Sequence, residues 1–163
     1  MLGLPSLLVF IGIVFAAALS GAVFMPGAWY RALDKPAWTP PDWLFAPAWA
    51  LLYVLIAVAG WLVWQADGLG VALALWVSNL VFNAAWSWIM FGRHNIAGAF
   101  ADAVAMLVTI AGFIAVVAPV SPIAALLFLP YLVWVLFATA LNWSILKRNR
   151  QPSTTARDPR YLN

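Results

Sequence analysis

The sequence predicts an all-α membrane protein that folds as a bundle of five transmembrane helices. Of its 163 residues, 66% are hydrophobic and 8% are charged, and the mean hydropathy is +0.98. Soluble domains carry about 25% charged residues, so this chain needs lipid as the solvent for its apolar surface. Its sparse charges leave four long uncharged stretches, at 1–30, 43–66, 68–92 and 103–146.

The lengths of these stretches give the number of spans. A helix needs about 20 apolar residues to cross the hydrocarbon core. Three stretches therefore hold one helix each, and the fourth is long enough for two, divided where Pro119 and Pro122 would interrupt a helix. The expected spans are 4–25, 41–65, 69–91, 96–117 and 122–147. Most connections are so short that consecutive spans must run antiparallel.

The N-terminal segment is expected to be the first span and not a cleaved signal peptide. It lacks the basic region that begins a secretory signal, and its apolar run continues to about residue 25. The chain contains no cysteine and one histidine, His94. Disulfides and thiolate metal sites are therefore excluded, and no metal site is predicted.

Charge segregation predicts the topology. Five spans place the first loop, the third loop and the C-terminal segment on one side, and these hold all eight Lys and Arg residues. The positive-inside rule predicts that this side is cytoplasmic and that the N-terminus lies outside. The net charge of +3 therefore reflects topology, and no nucleic-acid partner is expected. Residues 150–163 are polar and are expected to form a disordered cytoplasmic tail.

The first loop, 26–40, and the helix start after it are unusually rich in aromatic residues and proline. Residues 31–49 contain three tryptophans and four prolines. The prolines restrict the backbone on both sides of Trp38 and Trp43, so we predict a rigid aromatic lid. The alternative is an interfacial belt of aromatic side chains, which needs no ligand.

The second span has a recognisable start. Thr39 is expected to cap the helix, with Pro40 in the first helical position and Asp42 near the positive end of the helix dipole. The lid would then end at about residue 40.

A ligand cavity is expected where three spans meet. Helical spacing places aromatic and hydrogen-bonding side chains on one face of each of these spans. These are Trp49 and Tyr53 in the second span, Asn79, Asn83 and Trp86 in the third, and Trp134, Ala138 and Leu141 in the fifth, with Asn142 beside them. Such a lining suits a flat apolar ligand. The alternative is that the asparagines only join helices by hydrogen bonds.

Asp102 is the only acidic residue in the interior of a predicted span, since Asp42 lies in the first turn of the second span. An acid within the membrane is a functional hypothesis by default. The alternative is that Asp102 lies at the headgroup level and pairs with Arg93 or His94.

Small residues in the third span predict a dimer contact. Gly70, Ala74 and Ser78 recur at four-residue spacing, which lets two helices approach closely. This stripe is therefore a candidate contact for a homodimer.

Several spaced motifs carry a family resemblance. They are WY at 29–30, KPAWTPPDW at 35–43, PAWALLY at 47–53, NAAW at 83–86, FG at 91–92, AD at 101–102 and LPYLVWVLFATALN at 129–142. With these motifs, residues 12–149 resemble the TspO/translocator protein family, the tryptophan-rich sensory proteins formerly called peripheral benzodiazepine receptors. The resemblance implies a five-helix bundle, usually dimeric, whose cavity opens towards the first loop.

The resemblance also implies ligands and contacts. Family cavities take porphyrins and isoquinoline or benzodiazepine-type compounds, and cholesterol in animal members. Carried over to this chain, the implied contacts are Tyr30, Trp38, Pro41, Trp43, Phe45, Ala46, Trp49, Asn83, Trp86, Trp134, Ala138 and Leu141. The ligand expected here is protoporphyrin or haem, with no further cofactor required.

The implied role is that of a tetrapyrrole sensor or regulator, and two alternatives remain. In some bacterial relatives, tryptophans that match Trp49 and Trp134 are associated with light-dependent porphyrin breakdown, and only then would these residues be catalytic. Transport of porphyrin or of small hydrophobic ligands is the other alternative.

Two positions depart from the family pattern. Ala37 stands where some relatives carry a second tryptophan, so stacking in the lid is expected to be thinner. Trp143 stands where the cholesterol motif of animal members has a tyrosine. A bacterial protein without sterol binding is therefore expected.

Overall fold

The computed structural model describes residues 3–150, and all of their regular elements are helical. In chain order these are α1 (Leu4–Val23), α2 (Ala28–Ala32), a 3-10 turn (Asp42–Leu44), α3 (Phe45–Asp67), α4 (Val71–Ser87), a π-helix (Trp88–Gly92), α5 (Ile96–Val117) and α6 (Pro122–Arg148). Five helices in this part of the chain are long and apolar enough to cross a membrane. The predicted fold class is confirmed. Of the tail expected at 150–163, residues 151–163 lie outside the described residues.

The lid is more structured than the sequence suggested. It contains the five-residue helix α2, and the second span opens with a 3-10 turn that follows Pro41. Thr39 does not cap this turn, so that prediction was wrong. Its hydroxyl instead donates to the Pro36 carbonyl at 2.7 Å, because Thr39 lies two residues before the position from which a side chain would reach the helix N–H groups.

The third span changes helix type before it ends. After Ser87 the chain forms a single π-helical turn, in which the Arg93 N–H donates to the Trp88 carbonyl five residues earlier, at 2.8 Å. Such turns are rare and often occur at functional sites.

The helices form a ring whose order differs from the chain order. α1 packs against α3 and α4, α3 packs against α6, and α5 lies between α4 and α6. The order around the bundle is therefore α1, α3, α6, α5, α4. Because the second and fifth spans are neighbours in this ring, Trp49 of α3 and Trp134 of α6 can meet.

Tight packing holds the interior, and apolar side chains also cover the outside. Trp76 is buried and its Nε1 donates to the Ile56 carbonyl at 2.9 Å. Its indole lies so close to α3 that a Cβ on Gly60 would stand 2.4 Å from Cε2 of Trp76. Val54 and Val81 are exposed on the outer faces, which are therefore suited to lipid and not to water.

Candidate functional site

Aromatic side chains from α3 and α6 pack together in the half of the bundle next to the lid. Trp49 stacks on Tyr53, with ring centroids 5.3 Å apart, and meets Trp134 edge-on at 6.4 Å and 86°. Trp134 also contacts Phe45 at 5.8 Å. One-turn spacing along α3 explains why its three rings share one face. We define the aromatic cluster as Phe45, Trp49, Tyr53, Tyr131, Trp134 and Phe137.

A chain of hydrogen bonds lies beneath the cluster and joins four helices. The Tyr53 hydroxyl donates to Asn83 Oδ1 at 3.1 Å, and Asn83 Nδ2 donates to the Tyr131 hydroxyl at 3.1 Å. The Tyr131 hydroxyl in turn donates to Met106 Sδ at 3.2 Å. Asn83 therefore joins helices by hydrogen bonds, as the alternative to a ligand contact proposed. It can bind a ligand only if these hydrogen bonds break.

Asn79 turns away from the cluster although it shares a helix face with Asn83. Its Nδ2 donates to Thr109 Oγ1 at 3.1 Å and to the Met106 carbonyl at 3.4 Å. These bonds join α4 to α5.

The lid contacts the cluster through one ring. Trp38 packs edge-on against Phe137 at 5.7 Å, and Phe137 contacts Trp134 at 5.9 Å. Half of the Trp38 surface remains exposed. Sequence reasoning missed Phe137 and Tyr131, although each lies three residues from Trp134 and so near the same helix face.

Two of the predicted contacts form a second aromatic group. Tyr30 of α2 and Trp86 of α4 both pack edge-on against Phe91 in the π-helix, at 5.3 and 5.4 Å. Burial raises the pKa of the Tyr30 hydroxyl above its usual value, and the carboxylate of Asp42 adds to this rise. Some of the predicted contacts therefore lie in the aromatic cluster, and Tyr30 and Trp86 lie in this second group.

The remaining predicted contacts differ in burial. Leu141 is buried and Ala138 is half-buried, whereas Pro41 and Ala46 are exposed. Trp43 is 72% exposed, a position that suits the aromatic belt. Ligand contacts at these positions stay predictions.

Trp134 carries a hydrogen-bond donor that nothing in the described structure uses. Its Nε1 is buried and has no acceptor among the described residues. A buried N–H without a partner costs about 1–3 kcal/mol. An acceptor atom on a ligand in the aromatic cluster would remove this cost.

Asp102 does not make the predicted pair with Arg93 or His94. It is 9% exposed, and its Oδ2 has no partner among the described residues. His94 stacks instead on Trp29, with ring centroids 4.4 Å apart, and Arg93 lies over Trp88. The pairing fails because Asp102 lies on the inner face of α5 while both partners lie in the exposed connection before it.

Neighbouring rings of the cluster contact each other, and all of them except Tyr131 are only half-buried. A flat ligand would lie against their open faces or insert between the α3 rings and the α6 rings. Two apolar grooves lie on the outer surface of the bundle, one between α5 and α6 and one among α1, α3 and α4. Neither groove includes a predicted contact residue.

The stripe predicted to form a dimer contact is accessible in part. Ala74 and Ser78 are exposed on α4, and Gly70 directly precedes that helix. The Ser78 hydroxyl donates to the Ala74 carbonyl at 2.8 Å within its own helix. The homodimer stays a prediction.

Comparison with known proteins gives the family. The model of the TspO/MBR family matches residues 7–148, nearly all of the described chain. The chain belongs to the TspO/MBR family. It is therefore a multi-pass integral membrane protein, and the resemblance inferred from its motifs is confirmed.

This TspO/MBR family member has relatives in bacteria and in animals. It is 37% identical over 142 residues to a tryptophan-rich sensory protein of Cereibacter sphaeroides, covering 87% of this chain and 90% of that protein. It is 36% identical over 137 residues to protein CrtK of Rhodobacter capsulatus, covering 82% and 86%. It is 38% identical over 128 residues to the human translocator protein, covering 74% and 75%.

Proposed function

We propose that this TspO/MBR family member binds a tetrapyrrole, protoporphyrin or haem, under its lid and acts as a membrane sensor or regulator. The observation that carries the proposal is the perpendicular contact of Trp49 and Trp134, beside the unused indole N–H of Trp134. Large aromatic faces next to a few polar groups suit a flat apolar ligand. The names of relatives, sensory protein and translocator protein, agree with a role that responds to a ligand.

The charge of the lid end supports an acidic ligand. The exposed residue Arg31 lies in α2, and Arg93 and Lys147 lie at the same end of the bundle. A porphyrin with carboxylate groups would place its apolar macrocycle among the rings and its charged edge towards this basic face.

We propose further that the lid end faces the cytoplasm of a bacterial cell and that the N-terminus lies outside. The ion pair of Asp34 with Arg148 joins the first loop to the end of α6, and the stacking of Trp29 on His94 joins it to the third loop. The basic segments therefore meet at one end, which the positive-inside rule assigns to the cytoplasm.

A titration of the purified protein in nanodiscs with protoporphyrin tests the proposal. Binding is followed by the absorbance of the porphyrin, because removing tryptophans would change a fluorescence signal by itself. The double variant Trp49→Phe plus Trp134→Phe loses two indole donors, one of them the unused donor of Trp134, and part of the stacking surface, so we expect about tenfold weaker binding.

Trp64→Phe is the matched control. Trp64 is half-buried in α3 beside the groove formed with α1 and α4, so this variant should bind as the wild type does. Equal affinity of the double variant and the wild type would show that the aromatic cluster is not the binding site.

A second function, light-dependent porphyrin degradation, is favoured by one observation. Trp49 and Trp134 contact each other, so a porphyrin between them would have two indoles as electron donors, with oxygen as the oxidant. We expect a new absorbing product only when light, oxygen and both tryptophans are present. Bleaching at the same rate in the double variant would rule out this function.

A further inference from the structure

The lid is joined to the end of α6 by a reciprocal pair of hydrogen bonds. The backbone N–H of Asp34 donates to Asn149 Oδ1 at 3.1 Å, and Asn149 Nδ2 donates to the Asp34 carbonyl at 2.9 Å. The side-chain amide thus pairs with the lid backbone as a neighbouring β-strand would. The two residues are 115 positions apart, so this contact forms only when the lid lies against α6.

Both sides of this contact are held in place by their own surroundings. Asn149 Nδ2 also donates to the Ile145 carbonyl at 2.8 Å, which fixes the amide at the end of α6. On the lid, Lys35 Nζ donates to three carbonyls, of Tyr30, Arg31 and Leu33, at 2.9, 3.1 and 3.2 Å. The lid around Asp34 is therefore a preformed unit that docks on Asn149.

An ion pair accompanies the amide contact and is the weaker part of it. Arg148 Nη1 lies 3.5 Å from Asp34 Oδ2, and the two side chains are 45% and 62% exposed. Exposed ion pairs contribute little because water and salt screen them.

The lid has a second contact with α6, of a different kind. Trp38 rests on Phe137, twelve residues before Asn149, which corresponds to about 18 Å along the helix. That contact is apolar and leads into the aromatic cluster. The Asn149 contact is directional and lies at the water-exposed end of the bundle.

We propose that Asn149 is a positioning residue, a latch that holds the lid closed and limits how fast a ligand exchanges with the aromatic cluster. The exchange part of the proposal rests on the proposed function.

The geometry predicts an unequal effect of two variants. Asn149→Ala removes both hydrogen bonds to the lid, whereas Asp34→Ala removes only the ion pair, because Asn149 binds the backbone of Asp34. Lys147→Ala is the matched control on α6. Lys147 is exposed and lies over the Trp143 ring at 4.9 Å, and no described contact joins it to the lid.

The first measurement needs no ligand. The chain has no cysteine, so Ala37→Cys, an exposed lid position, carries a single nitroxide label. In nanodiscs we expect the label to become more mobile in Asn149→Ala and to change little in Asp34→Ala and Lys147→Ala. If the label is no more mobile in Asn149→Ala than in the protein with Asn149, Asn149 does not hold the lid.

The second measurement is the dissociation rate of protoporphyrin. We expect Asn149→Ala to release it about tenfold faster, since two hydrogen bonds are lost, and Asp34→Ala to stay within about twofold of the wild type. If the lid of Asn149→Ala becomes more mobile but protoporphyrin dissociates at the wild-type rate, the proposal that Asn149 limits ligand exchange is wrong. If the wild type does not bind protoporphyrin, the proposed function fails, and the label mobility alone decides whether Asn149 is a latch.

A third variant covers the case in which Asn149→Ala is unstable. Asp34→Cys and Asn149→Cys, joined by a short thiol cross-linker, keep the lid on α6 by a covalent bond. Protoporphyrin exchange should then be slower than in the same variant before cross-linking. Equal exchange before and after cross-linking overturns the proposal.

Discussion

Asn83 shows what the sequence does and does not determine about a single residue. Its position in the third span predicts that it faces other helices, which is confirmed. Its partners, Tyr53 and Tyr131, come from α3 and α6, and a sequence pattern cannot give the order of helices that brings them together.

The bonds of Asn83 give a graded prediction of stability. Asn83→Ala removes the bonds to both tyrosines and should lower the free energy of unfolding by about 1–2 kcal/mol, whereas Tyr53→Phe removes one and should lower it by about 0.6 kcal/mol. Unfolding in mixed micelles of increasing SDS content measures both. Equal stability of Asn83→Ala and the wild type would mean that the bonds contribute nothing to folding.

At the scale of elements, long features were predictable and short ones were not. Hydropathy and proline positions give the five spans, and the fourth has the predicted bounds. Helix α2 has five residues, too few to show a helical period. The π-helical turn depends on packing around it and has no composition of its own.

A pair of glycines tests the packing between elements. A Cβ at Gly60 would lie 2.4 Å from Trp76 Cε2, whereas a Cβ at Gly112 would meet Leu75 Cδ1 at 3.6 Å, an ordinary contact. Gly60→Ala should therefore lower the free energy of unfolding by about 1–3 kcal/mol.

Gly112→Ala is the matched control for this prediction. It should leave stability unchanged or raise it by up to about 1 kcal/mol, since alanine favours a helix. Both variants are compared by the same SDS unfolding. Equal effects of the two substitutions would contradict the close approach of Trp76 to α3.

At the scale of the whole molecule, the candidate site is positioned by the distribution of charged residues and by the order of the helices around the bundle. Charge segregation predicts that every Lys and Arg lies on one side of the membrane. The contacts that join the first loop to the third loop and to the end of α6 agree with this prediction. Hydropathy does not tell which spans are neighbours. Helical spacing therefore predicted that Trp49 and Trp134 line one cavity but not that they touch, and the structure gives their contact through the packing of α3 on α6.

The orientation of the bundle can be tested with single cysteines. Ala37 lies in the lid, and Leu69 is 86% exposed in the connection at the opposite end. In intact bacterial cells, a membrane-impermeant maleimide should label Leu69→Cys and spare Ala37→Cys. Permeabilised cells, in which both are labelled, are the control. The reverse pattern in intact cells would invert the proposed orientation.

The π-helical turn Trp88–Gly92 has a consequence for how this chain tolerates changes in length. A turn closed by bonds to the fifth residue holds one residue more than an α-helical turn. Deleting one residue there would allow an uninterrupted α-helix, and the residues beyond the deletion would keep nearly the same direction relative to α4, because the wide turn had taken up the extra residue. A deletion in the middle of α4 would instead rotate every following residue by about 100°. The chain should therefore tolerate the loss of one residue at Trp88–Gly92 better than the loss of one residue within α4.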